Sequence, residues 1–467
     1  MTEPDTNKPK VLIVGAGLGG LLLAILLERA GVPYEVLERA AAIKPLGAAI
    51  SLGSNILHVF NQLGLLDEFL AFSKPSVRIF MCNQERGVDY VLEQGFVKDM
   101  GGFHGTICTR KDLYDLLLRQ IPSSKVHLSK KMISFDQTTD SNVVTVQCAD
   151  GSSYVGDILV GADGAYSTVR ECLYKELEAQ GTLPKGDSEP LPFNSVLVLG
   201  TTNELSPEEF PELNSDESNP QIFLKHINGV PYTWIVFPMK GNTFCWGVTE
   251  YLNEYSTKQE ATSSDKDWGP KGAEAMCNLS RDFPIRGGLH NTLTIGDMID
   301  RTPKELISKV MLEEKVFDTW YGGRVVLLGD ACHKMIPSGA QGAVNAMQDA
   351  VALANWISVL EKTSSKDGYQ SAWKEYQDER HPLATQSFEV SQFMGKQTLG
   401  NWVGTVSRLF ARYMPDWFQK FAMMRMISNR PQVSFLPPAE DKGTVPVIDQ
   451  PSLRKTKAML AGSQARS

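Results

Sequence analysis

A glycine-rich turn between an apolar strand and an apolar helix opens the chain and limits what it can fold into. The strand covers Val11 to Val14, the helix begins near Leu21, and the turn between them reads Gly15-Ala16-Gly17-Leu18-Gly19-Gly20. Glycines at these spacings allow a tight turn, a close approach of backbone to a pyrophosphate, and close packing of helix on strand. The helix would direct its N-terminal N–H groups and its positive dipole end at the phosphates. This segment predicts a parallel α/β sheet that binds a dinucleotide through Gly15, Gly17, Gly19 and Gly20.

A second apolar segment, Tyr34 to Leu37, is followed by Glu38, about 20 residues beyond the turn. A carboxylate at that distance can accept hydrogen bonds from the ribose of an adenosine. Because strand, turn, helix and acid follow in this order, we predict dinucleotide binding rather than a purely structural turn.

Composition narrows the class of protein. A chain of 467 residues is long enough for two or three subdomains. Its net charge of −8 disfavours a nucleic-acid partner, which needs a basic face. The seven cysteines include no Cys-x-x-Cys pair, which indicates reduced thiols rather than a disulfide framework or zinc site. The polar N-terminus lacks the apolar core of a secretory signal, so we expect a cytoplasmic protein.

Two later strand ends carry acidic loops. An apolar strand ending at Val160 is followed by Gly161-Ala162-Asp163-Gly164, with Ser167 and Arg170 beyond it. The apolar segment 324–328 is followed by Gly329-Asp330-Ala331, a loop rich in proline and glycine, and a helix from about 343 to 360. Asp330 can accept from ribityl hydroxyls, and the helix N-terminus at Gly342 and Ala343 can stabilise negative charge on a reduced flavin. Taken alone, the second loop is equally well an ordinary strand–helix crossover, with Asp330 as a helix cap.

Arg110 opens another helix, whose leucines share one face. Its guanidinium is interpreted equally well as a solvated helix end or as a cation that reaches the cofactor phosphates or ribityl chain. The histidines 58, 104, 226 and 333 show no metal-ligand spacing, so no metal site is predicted.

The middle of the chain predicts an antiparallel sheet. Segments 221–226, 232–238 and 243–250 are separated by Asn228-Gly229 and Gly241-Asn242, which are hairpin signals. Such a sheet can roof a substrate pocket, and we take Tyr232 as the first candidate for a catalytic group, against the alternative of a core tyrosine. A capping box at 302–305 predicts a helix through about Met311, after which the alternating strand–helix pattern returns.

Together, the three loops resemble those of FAD-dependent aromatic-hydroxylase-type monooxygenases, the group A flavoprotein monooxygenases. The resemblance covers roughly residues 10–385 and, more narrowly, extends to fungal enzymes that hydroxylate or epoxidise bulky secondary metabolites. It implies FAD contacts from Asp163, Asp330 and Arg110, and from three residues near the first motif, Arg39, Gly47 and Ser51. Three positions depart from the family pattern. Ala340 stands where glycine is usual, Val344 stands where asparagine is usual, with Asn345 displaced by one, and Cys332 stands where a small alanine or serine is common.

The resemblance also implies a mechanism and a set of small-molecule partners. NADPH, less often NADH, reduces FAD, and a flavin C4a-hydroperoxide formed with O2 transfers one oxygen atom to a small-molecule substrate. The chain has no second glycine turn for NADPH, which suits a class in which the nicotinamide binds transiently. An oxidase or reductase of the same fold, a flavin halogenase and a non-catalytic flavin-binding regulator are the alternatives.

The predicted fold is therefore α/β, a Rossmann-like FAD-binding domain interleaved with an antiparallel-sheet substrate domain, plus a helical C-terminal region. The predicted boundaries are 1–190 and 311–385 for the FAD-binding parts, 191–310 for the substrate domain, and 386–467 for the C-terminal region. Segment 401–427 is rich in aromatics and methionine, and Pro415 divides it into two helices. Three interpretations of this segment stay open: it packs on the cofactor domain, it pairs with another subunit, or it makes a peripheral membrane contact. The tail after Ala439 is expected to be loose.

Overall fold

The structure is a computed structural model that describes residues 7–42, 49–137, 143–257, 269–362, 366–396 and 402–464. The elements of the first part of the chain are β1 (Val11–Val14), α1 (Leu18–Arg29), β2 (Tyr34–Leu37), β3 (Ala49–Leu52), α2 (Ser54–Leu63), α3 (Leu66–Ala71), β4 (Lys74–Ser76), β5 (Arg78–Cys82), β6 (Val88–Glu93), α4 (Val97–Gly101), β7 (Gly105–Thr109), α5 (Arg110–Leu118), β8 (Val126–His127), β9 (Met132–Asp136), β10 (Val144–Cys148), β11 (Ser153–Gly156), β12 (Ile158–Gly161), α6 (Thr168–Ala179) and α7 (Lys185–Ser188).

The remaining elements are β13 (Pro192–Thr201), β14 (Gln221–Ile227), β15 (Val230–Pro238), β16 (Phe244–Thr257), α8 (Gly269–Ser280), α9 (Ile295–Asp300), β17 (Ser308–Glu313), β18 (Lys315–Val316), β19 (Tyr321–Gly322), β20 (Val325–Leu327), β21 (His333–Lys334), α10 (Gly342–Ser358), α11 (Lys366–Lys396), α12 (Trp402–Tyr413), α13 (Asp416–Ser428) and α14 (Pro451–Gln464).

A six-stranded sheet carries the glycine-rich opening of the chain. Its order is β19-β20-β12-β1-β2-β8, and every neighbouring pair is parallel except β19 with β20. All four residues of β1 are buried, as expected of a central parallel strand covered on both faces. The predicted α/β fold class is confirmed.

A seven-stranded sheet forms the second layer, in the order β17-β13-β16-β15-β14-β5-β6. The predicted hairpins are present, and Asn228 has a φ of 51°, which suits the two-residue turn between β14 and β15. Strands β5 and β6, from the predicted first FAD-binding part, extend this sheet, with β5 parallel to β14. The two sheets therefore interleave earlier in the chain than the predicted boundaries place them.

The helix predicted from the capping box at 302–305 is wrong. Only a 3₁₀ turn, Lys304–Leu306, follows Pro303, and the chain then enters strand β17. Val310 pairs with Leu197 and Met311 with Val196 of β13. The local helix signal yields to pairing at an open sheet edge, since tertiary context overrides weak propensity.

The C-terminal region is helical, as predicted, and Pro415 separates α12 from α13. The expectation of a loose tail is wrong, because α14 packs against α10 and α11. The Ser452 N–H donates to the Glu379 carboxylate at 2.6 Å, and Thr456 is buried. The buried side of α14 includes small polar residues, which carry little hydrophobic signal in the sequence.

Candidate active site

Three loops meet at one edge of the six-stranded sheet. They follow β1, β12 and β20, which are adjacent and parallel, so their carboxyl ends lie side by side. The Ala162 N–H donates to the Val14 carbonyl at 2.8 Å, and the Leu328 N–H donates to the Gly161 carbonyl at 3.0 Å. Arg170 adds a link between loops, since its guanidinium donates to the Ala331 carbonyl at 2.9 Å. The motifs recognised separately in the sequence thus form one site.

The glycines of the first loop have different neighbours. Gly15 has a φ of +106°, and a Cβ there would lie 2.3 Å from the Ala162 carbonyl oxygen. A Cβ on Gly19 would lie 2.7 Å from the Leu328 side chain, and one on Gly20 would lie 2.2 Å from the Gly15 oxygen. Gly17 differs, because its nearest neighbour would be 3.9 Å away. Three glycines therefore permit packing within the protein, while Gly17 leaves open space at the N-terminus of α1.

Glu38 holds the first loop against the end of β2. Its carboxylate accepts from the Ala16 N–H at 2.9 Å and from the Ala40 N–H at 2.8 Å. Arg39 beside it is exposed, and Ser51 is half-buried on β3. Gly47 lies outside the described residues. Cofactor contacts from these residues stay predictions.

Asp163 is committed largely to helix α6. Its carboxylate accepts from the Ser167 hydroxyl, from the Thr168 N–H at 2.7 Å and from the Val169 N–H at 3.2 Å. Ser167 is itself the N-cap and accepts from the Arg170 N–H at 3.0 Å. Asp163 therefore shapes the second loop, and a direct cofactor contact from it stays a prediction.

Asp330 lies among cations. Its carboxylate accepts from the Lys334 ammonium at 2.6 Å. Burial raises the pKa of Asp330, but Lys334, His333 and Arg110 together outweigh burial and hold that pKa below its ordinary value. Arg110 is half-buried, and its guanidinium has no hydrogen-bond partner within the described part of the chain. A partly buried cation without a protein partner suits a bound phosphate.

A buried ion network fixes the third loop from behind. Asp349 on α10 accepts from the Gly329 N–H at 2.9 Å, is hydrogen-bonded to His333 Nε2 at 2.6 Å, and accepts from Arg380 at 2.8 Å. Arg380 also donates to the Asn345 side-chain oxygen at 2.9 Å. Burial alone would raise the pKa of Asp349. The charges of His333 and Arg380 have the larger, opposite effect and bring this pKa down to about 2. Sequence reasoning missed this network because its members are distant in sequence and each is unremarkable alone.

The same network excludes a metal at the one cluster of ligand-type side chains found among the described residues. Cys332, His333 and Asp349 offer ligand atoms within 4.8 Å of one another. Both carboxylate oxygens of Asp349 are occupied, however, and the Arg380 guanidinium opposes a second cation. We therefore assign this cluster a structural role.

Helix α10 begins at Gly342 without a side-chain cap or an acidic residue in its first turn. Gln341 precedes it and lines a small cleft with Asn55, Gln348, Gln386 and Arg425, among others. The N-terminal N–H groups at Gly342 and Ala343 lie in the turn that is free to bind negative charge. The departure at Asn345 has a structural explanation, since this side chain is buried against Arg380.

Ala340 adopts a left-handed conformation with a φ of +52°, at the position where the family usually has glycine. We expect Ala340→Gly to raise the free energy of unfolding by about 0.5–1 kcal/mol, because glycine removes the Cβ strain but costs some chain entropy. Urea denaturation measures this change. The same substitution at Ala343, inside α10, should have the opposite sign, and equal signs for both variants would contradict the strain at Ala340.

Tyr232, the predicted catalytic residue, lies on the face of its sheet that α8 and α9 cover. With Trp234 and Val236 it packs against α8, α9 and Phe283, a side we call the outer face. Its hydroxyl donates to Glu250 at 2.8 Å, and burial and this carboxylate raise the pKa of the phenol above its ordinary value. Position and pKa both argue against Tyr232 as a base, so the structure does not support that prediction.

The opposite, inner face of the sheet carries Thr233, Ile235 and Phe237, which are only half-buried. Phe237 packs with Cys245, Met239 and Ile107, so this face contacts β7, whose end leads into Arg110. The sequence shows that successive side chains of β15 alternate between two faces. It does not show which face is covered, and only the packing of α8 and α9 on the outer face decides this.

The site fits FAD on three observations. Space is open over Gly17, the N-termini of α1 and α10 have no side-chain caps, and Arg110 has no hydrogen-bond partner among the described residues. An elongated anionic dinucleotide with an electron-accepting ring matches these features.

Comparison with known proteins agrees with this assignment. A family model described as an FAD binding domain matches residues 8–207 and 291–391, more than half of the chain. FAD-dependent monooxygenase cle3 of Aspergillus versicolor is 27% identical over 448 residues, which cover 93% of this chain and 86% of that protein. FAD-dependent monooxygenase ctvC of Aspergillus terreus is 28% identical over 449 residues, which cover 93% and 89%.

Solved structures share the fold. Klebsiella pneumoniae HpxO complexed with FAD and uric acid matches with a TM-score of 0.70 and 22% identity over 90% of this chain and 97% of that chain. A salicylate hydroxylase substrate complex matches with a TM-score of 0.61 and 16% identity over 92% and 100%. The chain belongs to the FAD-binding-domain family, and the predicted class of FAD-dependent monooxygenases is confirmed. None of the described helices combines the length and hydropathy needed to cross a membrane.

Proposed function

We propose that this enzyme uses FAD, NAD(P)H and O2 to insert one oxygen atom, by hydroxylation or epoxidation, into a bulky apolar organic molecule. The substrate would lie along the inner face of the seven-stranded sheet, beside the three-loop site. The relatives are fungal FAD-dependent monooxygenases, which favours a secondary metabolite as substrate.

The half-buried inner face carries this proposal. Ile235 and Phe237, with Thr233, leave a half-buried surface on a sheet whose other face packs against α8 and α9. Phe237 on this surface packs with Ile107 of β7, and β7 leads into Arg110. Apolar surface next to convergent polar groups is typical of a small-molecule site.

The chain's own residues would bind FAD and orient its ring toward the substrate. Arg110 and the N–H groups at the start of α1 would hold phosphates, and Asp330 would accept from hydroxyls of the linking chain. The uncapped N-terminus of α10 would stabilise negative charge at the ring, and the inner face would exclude water from the reacting atoms. FAD, when bound, supplies electron transfer from NAD(P)H and the activation of O2.

Isotopically labelled O2 tests the proposal. The purified enzyme is incubated with NADPH or NADH, labelled O2 and a panel of polycyclic and prenylated phenols, and products are analysed by mass spectrometry. A product one labelled oxygen atom heavier supports oxygen insertion. Substrate-dependent oxidation of the nicotinamide with no label in any product would instead show an oxidase or reductase.

Substitutions on opposite faces of β15 test where substrate lies. We expect Ile235→Asn to raise the KM for an accepted substrate about tenfold, because it removes roughly 1–2 kcal/mol of apolar contact. Tyr232→Phe should leave kcat and its pH profile unchanged, since this side chain faces α8 and α9. Steady-state kinetics with FAD content as a folding control measures both, and the reverse pattern would place the substrate on the outer face.

A further inference from the structure

Helix α12 is amphipathic, yet its apolar side faces solvent. Val406, Phe410 and Tyr413 follow the spacing of one helix face, and all three are exposed, Tyr413 by 72%. The opposite face carries Gly404 and Ala411, which are buried. A surface helix of a globular protein normally buries its large apolar residues, so α12 has the reversed orientation.

Helix α13 continues the same surface. Trp417, Phe421 and Met424 again follow one face, and their exposed fractions are 69%, 59% and 41%. The rings of Phe410 and Phe418 lie 5.4 Å apart in an edge-to-face contact, which joins the two helices. We call this surface the hairpin patch, and its exposed apolar residues are Val406, Phe410, Tyr413, Trp417, Phe421 and Met424.

The segment that carries the patch has a net charge opposite in sign to that of the whole chain. Residues 402–428 contain four basic residues, Arg408, Arg412, Lys420 and Arg425, and a single acid, Asp416, in a protein of net charge −8. Arg412, Lys420 and Arg425 are exposed. Exposed aromatics within a basic border are what an anionic lipid surface attracts.

We propose that the hairpin patch docks the enzyme on the surface of an anionic lipid membrane. Tyr413, Trp417 and Phe421 enter the interfacial layer, and the basic side chains contact the headgroups. Docking goes beyond the oxygenation reaction and does not depend on it.

A second copy of the chain fits the patch less well. A symmetric dimer would place the same surface on both partners, so a segment with a net charge of +3 would face its own image. Like charges across an interface oppose association, whereas an anionic bilayer neutralises them.

Docking also has a consequence for substrate access that rests on the proposed function. Arg425 and Met426 of α13 line the cleft that contains Gln341, the residue before α10. The membrane surface would thus lie near the start of α10, the side from which a lipophilic substrate of the proposed reaction would approach the enzyme.

Co-sedimentation of the full chain with vesicles tests docking. We expect binding to phosphatidylcholine vesicles that contain phosphatidylserine, weak binding to phosphatidylcholine alone, and loss of binding as salt is raised. The triple variant Tyr413→Ser, Trp417→Ser, Phe421→Ser should bind at least about tenfold more weakly. The matched triple Ile133→Ser, Leu289→Ser, Met459→Ser removes side chains of similar exposure elsewhere and should bind normally.

Charge-reversal variants provide a second test of docking in the same vesicle-binding experiment. Arg412→Glu with Lys420→Glu should weaken binding by about 30-fold or more, whereas Lys185→Glu with Lys304→Glu, which changes net charge equally, should have little effect. Retained FAD content shows that each variant is folded. Absence of wild-type binding, equal binding to neutral vesicles, or a dimer that the patch triple alone abolishes would each overturn the proposal.

Discussion

Gly15→Ala should purify without the yellow colour of bound FAD. The new Cβ would lie 2.3 Å from the Ala162 carbonyl oxygen and would hold alanine at a φ of +106°. Strain of this kind costs at least about 1–2 kcal/mol before the backbone clash is added. The first loop must shift away from the second, and we expect FAD affinity to fall by on the order of 100-fold, or about 3 kcal/mol.

Gly31→Ala is the matched control for this variant. Gly31 also has a positive φ, of +66°, but a Cβ added there would meet no atom of another part of the chain within 4 Å. It should therefore lose about 1 kcal/mol of stability and keep its FAD. Absorbance spectra and FAD titration of the apoprotein distinguish the two, and a fully yellow Gly15→Ala protein would show that the dinucleotide binds elsewhere.

Asp349→Asn should destabilise the protein by about 3–5 kcal/mol, because it leaves the buried Arg380 guanidinium without a counter-charge. Total stabilities are about 5–15 kcal/mol, so the loss is a large fraction of the whole. The third loop also loses part of its anchor at Gly329, so FAD release should accompany the loss of stability. Asp378→Asn removes an ion pair of similar length to Lys374, but that pair is exposed and the change should stay within about 0.5 kcal/mol.

The pH dependence of unfolding provides a second measurement on Asp349. Its pKa is about 2 in the folded protein against an ordinary 3.8, so its carboxylate stabilises the fold above pH 4. That stability, about 2 kcal/mol from the gap between the two values, is lost as the pH falls from 4 to 2. Urea midpoints for Asp349→Asn should therefore vary less than wild type over this interval, and parallel curves would contradict the assigned network.

The sequence predicts the structure best where a short segment requires one particular backbone geometry. The turn at Gly15, the hairpin at Asn228 and the helix break at Pro415 each need a backbone geometry that few residues provide. Parallel strands then bring the loops that follow them to one edge. The three-loop site could therefore be recognised before any tertiary contact was known.

Features that depend on distant partners could not be predicted in this way. The alternation along β15 defines two faces, but only α8 and α9 show that Tyr232 is on the covered one. Asp349 and Arg380 are 31 residues apart and meet only when α10 packs on α11. Strand β17 likewise exists because β13 offers it an edge, against a helix signal in its own sequence.

The order of strands in the six-stranded sheet also has a consequence for biosynthesis. Strand β20 lies beside β12, although 162 residues lie between Gly161 and Arg324 along the chain, and it delivers the third loop. A nascent polypeptide leaving the ribosome therefore carries the first two loops long before the third exists. Vectorial synthesis must complete the whole intervening sheet before the pocket for the cofactor can close.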